Sequence, residues 1–331
     1  MTLCVMWIRK TSETEELFVA TDSILTGGEK WEHGIKLFEL PRKDCFICFA
    51  GNTERAYPLI FNLISLLKND SRIHHTERDI SELVQEIAIL FTDLVKQIDF
   101  SGLSDGGKSE DRGGARFLFG GWSWRNNKFK VWHLSYSKKK QRFVEKAAIS
   151  RLKSYAFIVD VEEASTQSVH DLLKQRLVDG RLNMEPLSVL IEIIKDSDVQ
   201  SIGGSPQIAR IKKSGQCEIL GIQWMGTPHV LGKKYYAYQK PRVRYIDPET
   251  ADIIEDEVPE QLTNDIIDSL DQNQRDFVKK YYSDGKLQDT ITATTRSQIH
   301  AILGEKAYEL FLKTQQEMAT QDNQIERETD E

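Results

Sequence analysis

The chain has 331 residues and is 40% hydrophobic, which is enough to enclose one large core and a smaller second unit. It has no run of eighteen apolar residues, so we expect no membrane-spanning helix. The net charge of −7 is unevenly spread. Residues 246–331 carry 21 acidic and 8 basic side chains, a charge of −13. Residues 1–245 carry the other 30 acidic and 36 basic side chains, a charge of +6. Residues 246–331 are therefore a different kind of sequence from the rest.

The N-terminal residues and the cysteines indicate a compartment. The first ten residues have no leading basic region and become charged early, so they do not predict a signal peptide. The four cysteines are sparse and scattered, which suits a reducing environment better than a disulfide framework. We therefore expect a cytoplasmic protein.

Apolar residues at strand period and at helical period alternate in blocks along residues 1–245. The predicted strands are 3–8, 17–21, 35–40, 45–50, 115–122, 128–136, 142–147, 207–212 and 217–224. The predicted helices are 52–68, 76–98, 165–178 and 186–195, and the glycine- and serine-rich segment 101–114 is a predicted loop.

This order of blocks predicts a fold class. Strands, two helices, strands, two helices and strands suit two antiparallel sheets stacked face to face with helices outside. Residues 2–245 are therefore predicted to form an α+β domain, a four-layer αββα sandwich. Residues 246–331 are predicted to form an acidic helical extension, with helices at 260–282 and 295–318 and about ten disordered residues at its end.

Residues that could take part in catalysis lie in or at the ends of the first predicted strands. Thr2 follows the initiator Met1 at the head of the first strand, and its side chain is small enough for an aminopeptidase to remove Met1. Asp22 ends the second strand within Ala-Thr-Asp-Ser, and Lys36 lies in the third. Gly51 stands in Phe-Ala-Gly-Asn, where the fourth strand gives way to a helix.

A further motif lies far along the chain. Asp198 and Ser201 stand in Asp-Val-Gln-Ser-Ile-Gly-Gly, after the last helix of the domain and before a strand. Together these motifs resemble the N-terminal-nucleophile (Ntn) hydrolases of the proteasome type: proteasome beta subunits, the bacterial peptidase HslV and the related bacterial protein Anbu. The resemblance covers about residues 2–225. The first hairpin, at 11–16, is a few residues longer than is usual in that family.

The resemblance implies a threonine peptidase whose nucleophile is Thr2 after Met1 is removed. A hydroxyl is a poor nucleophile until a base takes its proton, and a freed α-amine, with an ordinary pKa near ~8, can be that base. Lys36 is implied to lie near the hydroxyl, with Asp22 as the partner that a buried lysine needs. Alone, Thr2 would be an ordinary second residue and Lys36 a solvated strand lysine; their combination favours the catalytic interpretation.

The other site residues admit two interpretations each. Gly51 precedes a helix N-terminus, where unpaired backbone N–H groups suit an oxyanion hole, and it also suits a tight turn. Asp198 and Ser201 are implied to support the nucleophile's amine, or they end a helix and cap a loop. Leu25 and Phe49 line a substrate pocket or belong to the core.

The chain departs from the family at one place. The family has a Ser-Gly-Gly turn before its third helix, and residues 148–163 contain none; Ser150 or Ser154 could substitute, and nothing in the sequence selects either. Three functions therefore stay open: a peptidase in an oligomeric chamber, a catalytically inactive subunit that assembles or binds partners, and an Ntn amidase acting on small amides.

Other motifs predict the partners and the cofactors. Cys45 and Cys48 have zinc spacing but no second pair, so we expect neither metal nor cofactor. The basic stretches 138–142 and 233–244 suit nucleic acid or a contact with an acidic surface of a neighbouring subunit, of which we expect the latter. The resemblance implies a homo-oligomer, as a ring or a helical stack, that takes peptides or unfolded protein and works with an ATP-dependent unfoldase.

Overall fold

The structure is a computed structural model. It describes residues 2–11, 14–26, 29–70, 78–99, 112–150, 153–159, 169, 171–176, 182–196, 202–235, 240–241, 243–254, 264–284, 286–288, 291–292, 295, 298–299 and 302–303. The chain divides into two compact units, Met1–Lys234 with Ile246–Asp252, and Tyr235–Tyr245 with Ile253–Glu331. The division that the sequence predicts, 2–245 and 246–331, stays a prediction.

The protein is mixed α and β, and its sheets are mostly antiparallel, as the sequence predicted. The strands are β1 Leu3–Lys10, β2 Glu15–Thr21, β3 Leu25–Thr26, β4 Lys30–Trp31, β5 Leu37–Glu39, β6 Cys45–Gly51, β7 Ala115–Ser123, β8 Lys128–Ser137, β9 Arg142–Ala147, β10 Tyr155–Val159, β11 Gln207–Lys212, β12 Cys217–Trp224, β13 Thr227–Val230, β14 Lys233–Lys234, β15 Tyr245–Ile246, β16 Ile253–Ile254, β17 Tyr282–Ser283 and β18 Lys286–Leu287. The helices are α1 Thr53–Asn69, α2 Ile80–Lys96, α3 Glu185–Lys195, α4 Asn264–Ser269 and α5 Gln272–Lys279.

The larger sheet of the first unit places β1 between two partners. Its strands run in the order β10, β1, β2, β11, β12, β13, β14. On one side of β1, Cys4 pairs with Thr21 at the end of β2. On the other side, Leu3 pairs with Val159 at the end of β10. Because both pairings are antiparallel, the last residues of β2 and β10 reach the head of β1, where Thr2 lies.

The smaller sheet of the first unit runs in the order β5, β6, β7, β8, β9. Alternate residues of both sheets form one buried apolar cluster, as the period of two in a strand requires. Its members from the larger sheet are Cys4, Met6, Leu17, Val19, Ala156, Ile158, Ala209 and Ile211, and those from the smaller sheet are Leu37, Phe46, Cys48, Ala50, Leu118, Phe129 and Val131. This cluster is the core beneath the site.

Helices α1 and α2 bury one apolar stripe each against the other face of the smaller sheet. In α1 the stripe is Ala56, Leu59, Ile60, Leu63 and Leu67, which is the spacing of one helix face. Side-chain N-caps start both helices, Asn52 for α1 and Asp79 for α2. In α3, buried residues such as Leu187 and Leu190 form a corresponding stripe. The predicted four-layer sandwich as a whole stays a prediction.

The structure corrects several predicted boundaries. The helix predicted at 260–282 is two helices, because a capping box of Asp271 and Gln274 starts α5 anew after Leu270, and Tyr282 belongs to a strand. The strand predicted at 35–40 covers only Leu37–Glu39, and β10 was not predicted. Most of the predicted helix 295–318 and the whole of 321–331 lie outside the described residues.

The second unit has a small core of its own. Leu270 and Val278 pack with Tyr282, Ile299 and Leu303. Within the described ranges, none of the helices combines the length and the apolar character that crossing a membrane requires.

Candidate active site

Thr2, Lys36 and Asp22 meet at the head of β1. The Lys36 Nζ atom donates hydrogen bonds to Thr2 Oγ1 and to Asp22 Oδ2, both at 2.8 Å. The side chains of Lys36 and Asp22 are fully buried, and Thr2 is 4% exposed. The three residues that the sequence singled out from separate strand ends therefore form one connected, desolvated cluster.

The pairing of β1 with β2 places the carboxylate of Asp22. Asp22 directly follows β2, and its Oδ1 atom accepts a hydrogen bond of 3.1 Å from the backbone N–H of Leu3. The Asp22 N–H in turn donates to the carbonyl of Leu3 at 3.4 Å. Lys36 directly precedes β5 of the smaller sheet, where its carbonyl accepts from the Phe49 N–H at 3.3 Å. The cluster thus joins the two sheets.

The electrostatics of Asp22 are set by two opposing effects. Burial raises the pKa of the Asp22 carboxyl above its usual range, and this effect is the larger. The charge and hydrogen bond of Lys36, and the backbone N–H groups of Leu3 and Gly203, oppose it. A third backbone donor, the N–H of Ile24, contacts Asp22 Oδ2 at 3.3 Å. These donors therefore compensate in part for the hydration that the buried carboxyl group has lost.

A residue that the sequence did not indicate, Gln207, fixes the segment that carries Lys36. Its Oε1 atom accepts from the backbone N–H groups of Lys36 and Leu37 at 3.0 and 3.1 Å. Its Nε2 atom donates to the carbonyl of Gly34 at 2.6 Å. Gln207 is fully buried at the start of β11. The only local signal is a polar residue at the start of a strand, which does not by itself indicate a site.

The glycines after the distant motif contact the Asp22 segment. The Gly203 N–H donates to Asp22 Oδ2 at 3.3 Å, and the Gly203 carbonyl accepts from the N–H of Ser23 at 3.0 Å. Gly204 has a φ of +76°, and a Cβ there would lie 2.2 Å from Ser23 Oγ, so only glycine fits. Asp198 and Ser201 lie outside the described residues, so their predicted support of the amine stays a prediction.

Gly51 makes the strand-to-helix junction that the sequence predicted. Its φ is +109°, and a Cβ there would lie 2.3 Å from the carbonyl oxygen of Gly114. The next residue, Asn52, donates its N–H to the same carbonyl at 2.7 Å and caps α1 with its side chain. The turn itself therefore requires a glycine. The predicted oxyanion role of Gly51 stays a prediction.

An apolar cavity of about 330 Å³ lies beside the segment that carries Lys36. It is lined by Leu25, Trp31, His33, Gly34, Ile35, Phe38, Tyr57 and Phe61. Leu25 thus lines a cavity, one of the two roles considered for it. Phe49, by contrast, is fully buried and packs its ring against Phe38 and Tyr57, so it belongs to the core. Trp31 and Phe61 are 61% and 56% exposed at the rim.

The register of β10 shows that neither candidate serine replaces the missing Ser-Gly-Gly turn. The carbonyl of Ser154 accepts from the N–H of Ile8, which lies six residues along β1 from Thr2, or about 20 Å. Ser150 lies earlier still and pairs with Lys153. Residues 160–168, which follow β10 in the chain, lie outside the described residues.

Solved structures to which the chain is similar include Anbu proteins from three bacteria, all at low sequence identity. Neither a protein-family model nor a curated protein sequence matches the chain. Similar solved structures include Anbu, the ancestral beta-subunit, from Yersinia bercovieri, with 14% identity, a TM-score of 0.48, and coverage of 66% of this chain and 86% of that one. An Anbu (Gly-1) mutant from Hyphomicrobium sp. strain MC1 has 11% identity and a TM-score of 0.46 over 66% and 85%.

A third neighbour is the Anbu complex from Pseudomonas aeruginosa, whose structure is a helical assembly. It has 15% identity and a TM-score of 0.46, over 63% of this chain and 80% of that one.

Proposed function

We propose that the chain is a threonine peptidase of the Ntn type, with Thr2 as the nucleophile once Met1 has been removed. One observation carries this proposal: a fully buried lysine bridges the hydroxyl of Thr2 and the carboxylate of Asp22. A buried ion pair costs desolvation free energy, so packing alone is a poor reason for it. An ammonium group directed at a hydroxyl is, however, what a developing alkoxide needs.

The proposed chemistry follows from this arrangement. The freed α-amine of Thr2 takes the proton of the Thr2 hydroxyl, directly or through a water, and Thr2 Oγ1 bonds to the carbonyl carbon of the substrate. Lys36 stabilises the negative charge on Oγ1, and Asp22 keeps Lys36 charged and in place. Collapse of the intermediate breaks the C–N bond, and the proton passes from the α-amine to the leaving amine. Water then hydrolyses the ester on Thr2.

Three further roles complete the proposal. The backbone N–H of Gly51 stabilises the oxyanion of the tetrahedral intermediate, at the junction between β6 and α1. Asp198 and Ser201 support the α-amine of Thr2; the nearby Gly203 contacts Asp22. The apolar cavity beside Lys36 accepts the side chain on the acyl side of the scissile bond, and its aromatic lining favours large apolar side chains.

The assembly belongs to the same proposal. We propose a four-layer αββα sandwich over residues 2–245, with the acidic helical extension at 246–331, in a cytoplasmic homo-oligomer built as a ring or a helical stack. Such an enclosure would restrict access to peptides and unfolded protein, and an ATP-dependent unfoldase would supply the latter. The opposite charges of the two segments, +6 and −13, favour association between neighbouring subunits.

The test combines mass spectrometry with a nucleophile variant. We expect the mature chain to begin at Thr2 and to hydrolyse peptides that carry a large apolar residue before a reporter amine. Thr2→Ala should abolish this activity without unfolding the protein, whereas Thr14→Ala, which changes an exposed threonine in the first hairpin, should retain it. A Thr2→Ala protein with wild-type turnover would disprove the nucleophile. A chain that begins at Thr2 and hydrolyses no peptide would favour the inactive assembly subunit.

A further inference from the structure

A second cavity lies on the opposite side of Thr2 from the apolar one. β1 stands between β2 and β10 in the larger sheet, and the apolar cavity is built from the segments that follow β2 and β6. The second cavity, of about 220 Å³, is instead bounded by the end of β10 and by β7 and β8 of the smaller sheet. It is lined by Arg116, Phe117, His133, Leu134, Ser135, Phe157, Ile158 and Val159.

Strand register places this cavity next to the reacting groups. Val159, in its wall, pairs with Leu3, the residue after Thr2. Arg116, in its opposite wall, pairs with Ala50, the residue before Gly51. Directly paired residues of an antiparallel sheet lie about 5 Å apart, so the cavity borders both the nucleophile and the proposed oxyanion position. It does so from the β10 side, away from Lys36.

The cavity is electropositive. Arg116 and His133 line it, and Lys146 lies directly opposite His133 on β9. Burial lowers the pKa of His133, and the nearby charges of Lys153 and Lys146 lower it further. Among the residues that the structure describes, no aspartate or glutamate lines the cavity, and Arg116 has no hydrogen-bond or ion-pair partner. The guanidinium group of Arg116 is therefore available to an incoming anion.

We propose that this cavity is the subsite for the leaving-group side of the substrate, that it binds a carboxylate, and that Arg116 determines this specificity. The inference rests on the proposed peptidase function. If the acyl side chain occupies the apolar cavity on the β2 side, the leaving amine must extend to the other side of Thr2, toward β10. There the planar guanidinium can bind a carboxylate through two parallel hydrogen bonds.

Two sources can supply that carboxylate. One is the α-carboxylate at the end of a short substrate, and the other is an aspartate or glutamate side chain just after the scissile bond. Four peptides with the same acyl side distinguish them. The peptides differ only after the scissile bond. Two have neutral residues there, one with an amidated C-terminus and one with a free C-terminal carboxylate. The other two have an amidated C-terminus and carry either an acidic residue or a lysine.

The experiment measures kcat and KM of the full-length protein for each peptide. We expect a carboxylate in the leaving part to raise kcat/KM about tenfold over the neutral amide, mainly through KM, as charge-assisted hydrogen bonds do. Arg116→Met should remove this preference, so that the peptides with a carboxylate fall to the kcat/KM of the neutral amide peptide cleaved by the same variant. Arg116→Lys should restore part of the preference, because lysine keeps the charge without the planar fork.

The control is Arg142→Met, which removes an exposed arginine at the opposite end of β9 from Lys146. This variant should leave the preference for a carboxylate unchanged. If kcat/KM rises only for the peptide with a free C-terminal carboxylate, the enzyme trims chain ends. If it rises only for the peptide with an acidic side chain, the enzyme cleaves within chains. Either result supports the subsite. If the neutral peptide is cleaved and a carboxylate brings no gain, or if Arg116→Met keeps the gain, the subsite is refuted and the peptidase stands. If Thr2-dependent cleavage of every peptide fails, both are refuted.

Discussion

Replacing Lys36 by methionine separates the stability of the buried pair from its chemistry. Methionine fills a similar volume, but it removes the ammonium group that contacts Asp22 Oδ2 and Thr2 Oγ1 at 2.8 Å. Asp22 then stays fully buried with only backbone donors. Breaking a buried ion pair in this way typically destabilises a protein by about 3–5 kcal/mol. We expect a loss of that size for Lys36→Met near neutral pH.

A second substitution tests whether the loss arises from the orphaned carboxylate. Asp22→Asn removes the charge of the carboxylate, so the double variant Lys36→Met/Asp22→Asn buries no unpaired ion and should recover most of the lost stability. Its peptidase activity should not recover, because the cation near Thr2 is still missing. We expect a rate loss of at least about 10²-fold for Lys36→Met and for the double variant alike.

The assays are denaturant unfolding and peptide hydrolysis on the same preparations. Because burial raises the pKa of Asp22, protonation relieves the unpaired carboxylate, so the stability deficit of Lys36→Met should be smaller at about pH 5 than at about pH 8. Strictly additive stability losses in the double variant would refute the energetic coupling of the pair. A Lys36→Met protein that keeps its rate within a few-fold would refute the role of the cation.

Three further predictions concern the surroundings of the cluster. Gly51→Ala should lower the free energy of unfolding by about 2 kcal/mol or more, measured by denaturant, because its φ of +109° and the Gly114 carbonyl leave no room for a Cβ. As the pH is lowered, kcat/KM should begin to fall at a pH above the ordinary pKa of a carboxyl group, because protonation of Asp22 breaks the ion pair. A kcat/KM that stays constant down to about pH 4 would contradict this. Asp79→Ala should lower the free energy of unfolding by about 2–4 kcal/mol near neutral pH, measured by thermal or denaturant unfolding. The loss should be smaller at a pH below the lowered pKa of Asp79. The control, Asp93→Ala on the exposed face of α2, should have little effect on stability.

Much of the site could be predicted because its reactive residues lie at strand ends. Alternating apolar residues predict strands, and antiparallel pairing brings the end of β2 to the head of β1. The approach of Asp22 to Thr2 therefore follows from strand pairing, whereas that of Lys36, which precedes a strand of the other sheet, was implied by the family resemblance. Gly51 could be predicted for a related reason, since a glycine between a strand and a helix predicts a special backbone conformation.

The parts that the sequence did not indicate depend on distant pairing. Gln207 acts through three backbone groups of the segment around Lys36, which lies more than 150 residues away, and no local pattern reports such contacts. The five residues of β10 are almost all buried and lack alternation, so period alone does not distinguish them from other apolar segments. The break before α5 did have a local signal, because Asp271 and Gln274 match a capping box.

The polarity of the cluster is itself an argument about function. Lys36 and Asp22 are fully buried at the edge of a core made of residues such as Phe46 and Leu118. Apolar residues of similar volume would stabilise this position at least as well, since a buried pair must first lose its hydration. The chain nevertheless surrounds Asp22 with four donors, one from nearby Ile24 and one each from the more distant Leu3, Lys36 and Gly203. An arrangement that holds one lysine next to one hydroxyl at such a cost in desolvation supports the proposed role of that hydroxyl.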